Sequence, residues 1–163
     1  MVKPNNLRKV SIARLKQEMQ DTVFLSDDLA ITTIDYLRNP TSEIPVSLDG
    51  FAAMIMMSGS AVLSIDTETY EVRPNMLVFF RPGSIIRTIR CSSDATAYLV
   101  ACSKAFVSDI QVDISASLPI HMRFGRKPCL QVTERDVAEI RQFFQLIKTV
   151  IQSDKERYRK EII

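Results

Sequence analysis

Apolar positions recur with two different periods along the chain, and the changes of period mark its elements. Ser11 precedes Ile12, Leu15 and Met19, which share one face of a helix. With Ser11 as cap, residues 11–20 read as a short amphipathic helix, Arg14 and Lys16 lying off its apolar face. Val23, Leu25, Leu29, Ile31, Ile34 and Tyr36 then stand among Thr, Ser and Asp, which predicts short strands broken at Ser26-Asp27-Asp28. Asn39-Pro40 and Ile44-Pro45 mark loops.

From 51 onward the pattern is that of strands. Residues 51–57 form a continuous apolar run that taken alone also suits a buried helix. The next segment decides between them, because Ala61, Leu63 and Ile65 alternate with Val62, Ser64 and Asp66, and Ser58-Gly59-Ser60 separates the two runs. Further strands are expected around Tyr70 and Val72, over Met76–Phe80, around Ile85, Ile86 and Ile89, and over Ala95–Cys102. The turns between them are carried by Arg73-Pro74-Asn75 and Pro82-Gly83. Short strands this closely spaced predict a sandwich or barrel. Residues 104–110 suit a short helix, 111–127 give no clear period, and Cys129–Val132 suits a small strand.

The last element has the cleanest period. Thr133 with Asp136 three residues later resembles a capping box. Val137, Ile140, Phe144, Ile147 and Ile151 follow at helical spacing, and Phe143, Leu146 and Val150 form a second stripe beside them. No Pro or Gly interrupts a helix running from about 134 to nearly the end. The three segments expected are residues 1–22 with the short helix, 23–132 as the β unit, and 133–163 as the terminal helix.

Composition removes several classes of function. The chain is 46% hydrophobic and 25% charged over 163 residues, the balance of one globular domain. A net charge of +2 gives no argument for nucleic acid. Residues 155–160 are basic but diluted by Glu156 and Glu161, and read as a solvated helix end. Only 4 glycines leave little room for phosphate-cradling loops. No apolar run is long enough for a membrane span and no secretory leader opens the sequence, so a cytoplasmic location is expected. Cys91, Cys102 and Cys129 are odd in number and unpaired in spacing, and read as free thiols. His121 is the single histidine and reads as structural. Asp27-Asp28 reads as a turn, and Ser58-Gly59-Ser60 lacks the context of a nucleophile elbow. No catalytic residue, metal or cofactor is expected.

The central segment resembles the sensor domain of AraC/XylS-type transcription regulators. The resemblance rests on residues 54–61 (MIMMSGSA), residues 70–80 (YEVRPNMLVFF) and Pro82-Gly83-Ser84-Ile85-Ile86, taken in order and spacing, and it covers roughly 22–163. Asn75 stands where the family's turn glycine is usual, and Ile86 where its corner histidine is usual. The resemblance implies a mainly β fold with a helical arm: a cupin-like double-stranded β-barrel, or jelly roll, followed by a long C-terminal helix. Metal-dependent enzymes share such barrels. Aligning Gly59 with their first-motif glycine puts their carboxylate position near Ala52, a histidine pair near Val46 and Leu48, and the last histidine at Ile86. Hydrocarbon side chains there hold no metal.

If position 86 points inward, alternation turns Thr88 and Arg90 inward too, and the same phase turns in Ala52, Met54 and Met56. Phe79 and Tyr98 are further candidates for the barrel interior. Arg90 would either anchor a carboxylate, phosphate or hydroxyl group or lie at the strand end in water. In the terminal helix Ile140, Phe143, Phe144, Leu146, Ile147, Val150 and Ile151 are the candidate dimer contacts. The two stripes together span an arc of roughly 180°, wider than a single packed face needs. One stripe should pack on the barrel and the other on a second copy, without the sequence telling which. The expected function is a bacterial regulator's ligand-sensing, dimerising domain. It would meet DNA only through a helix-turn-helix domain outside this chain, whose end at Ile162-Ile163 reads as mid-helix in a longer gene product. A cupin-fold enzyme (an isomerase or dioxygenase) and a dimerisation module with a filled barrel are the rivals.

Overall fold

The computed structural model describes residues 7–18, 23–25, 27–35, 44–109 and 127–161, without the side chains of 16–18, 23, 25, 109, 151 and 154–161. The expected helix at residues 104–110 is α2 (Lys104–Asp109), and His121 lies outside the described residues.

Eleven strands form two sheets among the described residues. The first orders β1 (Arg8–Val10), β4 (Val46–Leu48), β9 (Ile85–Cys91), β6 (Ala61–Ile65) and β7 (Glu68–Val72). The second orders β11 (Cys129–Gln131), β8 (Met76–Phe80), β5 (Phe51–Ser58), β10 (Thr96–Cys102), β3 (Leu29–Asp35) and β2 (Val23–Leu25). This is the cupin-like double-stranded barrel with a terminal helix that the family resemblance implies, where the alternation alone predicted a sandwich or barrel. All pairings are antiparallel except β1 with β4.

The inward faces make one core. Ala61, Leu63 and Ile65 are buried while Val62 and Ser64 between them are half-buried. The apolar run of β5 is explained by its place between β8 and β10, with Met54, Ile55 and Met56 all buried. Two strands were not expected. β1 lies in the segment read as helix only, and joins the barrel by pairing with β4. β4 is three residues long, too short to show a period. α1 (Ile12–Glu18) follows β1 directly, and its Arg14 amide donates to the Ser11 hydroxyl at 3.2 Å, the cap read from sequence.

The terminal helix α3 (Glu134–Glu161) begins at the expected box. The Asp136 amide donates to Thr133 Oγ1 at 3.1 Å, and the Thr133 amide and hydroxyl donate to Asp136 Oδ2 at 3.0 and 2.7 Å. These bonds hold the Asp136 carboxyl below the usual carboxylate range. One stripe then packs on the outer face of the second sheet. Phe144 stacks on Tyr98 at 4.5 Å between ring centroids, over Ile31 and Val100, with Ile147 beside it. Val137 and Phe144 are 7% and 4% exposed, whereas Phe143, Leu146 and Val150 are 65%, 60% and 51% exposed. Phe144 and Ile147, counted among the possible dimer contacts, are therefore committed to the chain's own barrel. Ile140 is half-buried, and the side chain of Ile151 lies outside the description.

Candidate functional site

A cavity of about 260 Å³ opens between the two sheets. From the first sheet come Val46 and Leu48 of β4, Leu63 of β6, and Ile86 and Thr88 of β9. The second sheet contributes Ile34 of β3, Ala52 and Met54 of β5, Phe80 of β8 and Leu99 of β10. Val10 of β1, Leu15 of α1 and the exposed Ile44 complete the lining. Thr88 is its single polar residue, and none of the lining residues carries a charge.

Four positions aligned with the metal ligands of the barrel enzymes, Val46, Leu48, Ala52 and Ile86, all border this one cavity. Their side chains carry no donor atom, so the residues present do not fit a metal ion. No group of three or more His, Cys, Asp or Glu that could hold a metal occurs among the described residues.

The inward phase read from sequence holds for Ala52, Met54, Ile86 and Thr88, which line the cavity. Met56 also faces inward but is fully buried in the core, away from the open space. Arg90 does not face in. Leu63 pairs with Thr88 while the preceding residue of β6, Val62, pairs with Arg90, so Ile89 is an extra residue that resets the alternation. Arg90 is consequently exposed, and Cys91 takes the inward place against the core. Phe79 and Tyr98 also lie outside the barrel. Phe79 pairs with Phe51 at 6.3 Å, and Tyr98 is the platform for Phe144.

Val10, Leu15, Ile34 and Leu99 line the cavity without having been singled out in the sequence. Leu99 lies between Ala97 and Ala101, whose shared inward phase marks that face of β10, while Tyr98 belongs to the opposite face. Ile34 follows only once β3 is known to pair with β10, where Ala97 faces it.

A second, larger cavity of about 580 Å³ lies where β1, α1, the β4–β5 corner, the β8–β9 turn and α2 meet. Charged residues border it, Lys9, Arg14, Lys104 and Asp49, with Lys104 Nζ 2.9 Å from Asp49 Oδ1 in an exposed pair. Val10 and Leu48 border both cavities and stand between them.

Among the described residues no helix is long and apolar enough to cross a membrane. Cys91, Cys102 and Cys129 are free thiols. Burial pushes the Cys102 thiol up and that of Cys129 up to about 11.

Residues 41–162 match the family model of the AraC-like ligand binding domain. No curated protein matches the chain. Among solved structures, a conserved protein of unknown function from Streptococcus pyogenes is 28% identical, with 63% of this chain and 96% of that chain covered and a TM-score of 0.41. A candidate mannose-6-phosphate isomerase from Ralstonia eutropha JMP134 is 16% identical, with 51% and 82% covered and a TM-score of 0.42. A cupin superfamily protein from Desulfitobacterium hafniense DCB-2 is 11% identical, with 51% and 74% covered and a TM-score of 0.39. At these scores the likenesses carry no argument about substrate or chemistry.

Proposed function

This chain belongs to the AraC-like ligand-binding domain family, and from that membership we propose that it is the effector-sensing and dimerising domain of a bacterial transcription regulator. In this reading a small molecule enters the barrel, two copies pair through the exposed stripe of α3, and the pair biases a helix-turn-helix domain carried elsewhere in the gene product. The domain does no chemistry of its own. The observation that carries the reading is the open apolar space inside the barrel, bordered by the positions where the barrel enzymes hold their metal. Hydrocarbon side chains there suit binding and offer neither an acid–base pair nor a Lewis acid.

A ligand in this cavity would touch both sheets and also Val10 and Leu15, which precede and form the first helix. It biases the domain only if one arrangement of these parts holds it more tightly than another. The dimer is supported by Phe143, Leu146 and Val150, three large apolar side chains left in water at spacings of three and four.

The test is a screen of small molecules by thermal shift on the purified chain and on an Ala52→Leu variant, whose larger side chain intrudes on the cavity. A true effector at a hundred times its Kd stabilises the unaltered chain by about 2.7 kcal/mol, or roughly 5–10 °C at this size. It leaves the Ala52→Leu variant unmoved. Effectors that stabilise both proteins equally would sink the barrel as the sensing site.

A further inference from the structure

The lining of the barrel cavity limits the chemistry of what it takes. We propose that the ligand is uncharged and mostly hydrocarbon, with about ten non-hydrogen atoms and one hydrogen-bonding group that meets Thr88. This rests on the reading of the barrel as a sensing site.

Size sets the first limit. An apolar cavity of about 150 Å³ holds benzene, with its six heavy atoms. Scaled to about 260 Å³, the space takes about ten. Charge sets the second. Arg90, the one cation the alternation pointed inward, is turned out by the extra residue at Ile89. Lys9, Arg14 and Lys104 border the other cavity, behind Val10 and Leu48. A carboxylate or phosphate entering the barrel would lose its water without gaining a charged partner, one hydroxyl being too little to replace its hydration, which strongly favours its exclusion. Polarity sets the third. A sugar brings four or five hydroxyls to a wall with one, and each unmatched hydroxyl loses its hydrogen bonds to water. Among the described residues no hydrogen bond engages the Thr88 side chain, and no buried side-chain oxygen or nitrogen lacks a partner. Thr88 borders the cavity, and its hydroxyl is thus available to a ligand. Met54, unbranched and polarisable, lets the apolar wall adjust to either a flat or a chain-like skeleton.

The experiment uses two pairs of probes that share a skeleton and differ in charge, 1-octanol against octanoate and 2-naphthol against 2-naphthoate. Naphthalene and glucose serve as the bare hydrocarbon and the polyol. Binding to the purified chain is followed by protein-observed NMR and calorimetry. The alcohols should bind at least ten-fold more tightly than their carboxylates and than glucose. Thr88→Val, nearly the same shape, should weaken the alcohols about three- to ten-fold, the worth of one neutral hydrogen bond, and leave naphthalene unchanged. Ala52→Leu should weaken both alcohols and naphthalene. If a carboxylate or glucose binds as tightly as the alcohols and Ala52→Leu abolishes it, the ligand class is wrong and the sensing site stands. If no probe binds and Ala52→Leu raises the melting temperature, the space is an underpacked core and both readings fall. Should Thr88→Val affect naphthalene as much as the alcohols, the assigned role of Thr88 is overturned.

Discussion

Gly59 joins β5 to β6 with φ at +67°, and a Cβ built there would lie 2.7 Å from the backbone of Ala95. Both the backbone sign and the lack of room require glycine. Gly59→Ala should cost at least about 1–2 kcal/mol from the left-handed conformation alone, and the closeness of Ala95 adds to that. Thermal unfolding should show a loss of about 2–4 °C per kcal/mol at this chain length; an unchanged melting temperature would refute the steric argument. Asn75 adopts φ of +66° in its turn, which agrees with its standing in for the family's glycine. Cys129 carries a different expectation. With its thiol pushed up to about 11 by burial, only about one part in a thousand is thiolate at pH 8. Iodoacetamide should therefore modify Cys129 far more slowly than it modifies a free cysteine peptide, as peptide mass mapping over time would show. Reaction at the peptide's rate would mean that the thiol is not desolvated.

The terminal helix shows what periodicity conveys and where it stops. Its start, its length and the presence of two apolar stripes could all be read from spacing. Which stripe meets the barrel could not, because the two differ by about 100° of rotation and are equally apolar. The answer is held by Tyr98 and Ile31 on strands far away in sequence, whose outward faces receive Phe144. Two variants separate the stripes. Leu146→Glu with Val150→Glu should give a folded monomer, since both side chains lie in water in the single chain. Phe144→Ala should lower stability by about 3–5 kcal/mol, as for other buried aromatics. Light scattering reads the mass and circular dichroism the fold. A monomer already present in the unaltered chain at about 100 µM, well above the micromolar range of functional dimers, would remove the proposed interface. The box at the helix start adds a pH dependence. Asp136 has a lowered pKa in the folded chain, so its contribution is present above the ordinary carboxylate range and is lost as pH falls through the folded value. Asp136→Asn should remove that part of the acid-side slope in stability against pH.

The barrel as a whole emerged from short strands and turn residues, because antiparallel neighbours share local chemistry. The cavity emerged only in part. Inward phase along one strand is a local property, so Ala52, Met54, Ile86 and Thr88 were within reach of the sequence. Which strands face one another across the barrel is not local, and Leu15, Ile34 and Leu99 arrive from elements whose neighbours the sequence does not name. The hydrocarbon side chains of Val46, Leu48, Ala52 and Ile86 lead to one more expectation. The chain purified and then treated with a chelator should keep its melting temperature, and elemental analysis should find no stoichiometric Fe, Mn, Ni or Zn. Roughly one such ion per chain surviving chelation would reopen the enzyme reading.

The extra residue at Ile89 bears on how such a wall can change its length. In a regular strand, losing one residue turns every side chain beyond it to the opposite face. Deleting Ile89 would instead join Thr88, facing in, to Arg90, facing out, with Cys91 still facing in. β9 therefore has a frame-neutral point, where a one-codon deletion shortens the strand without turning the lining inside out.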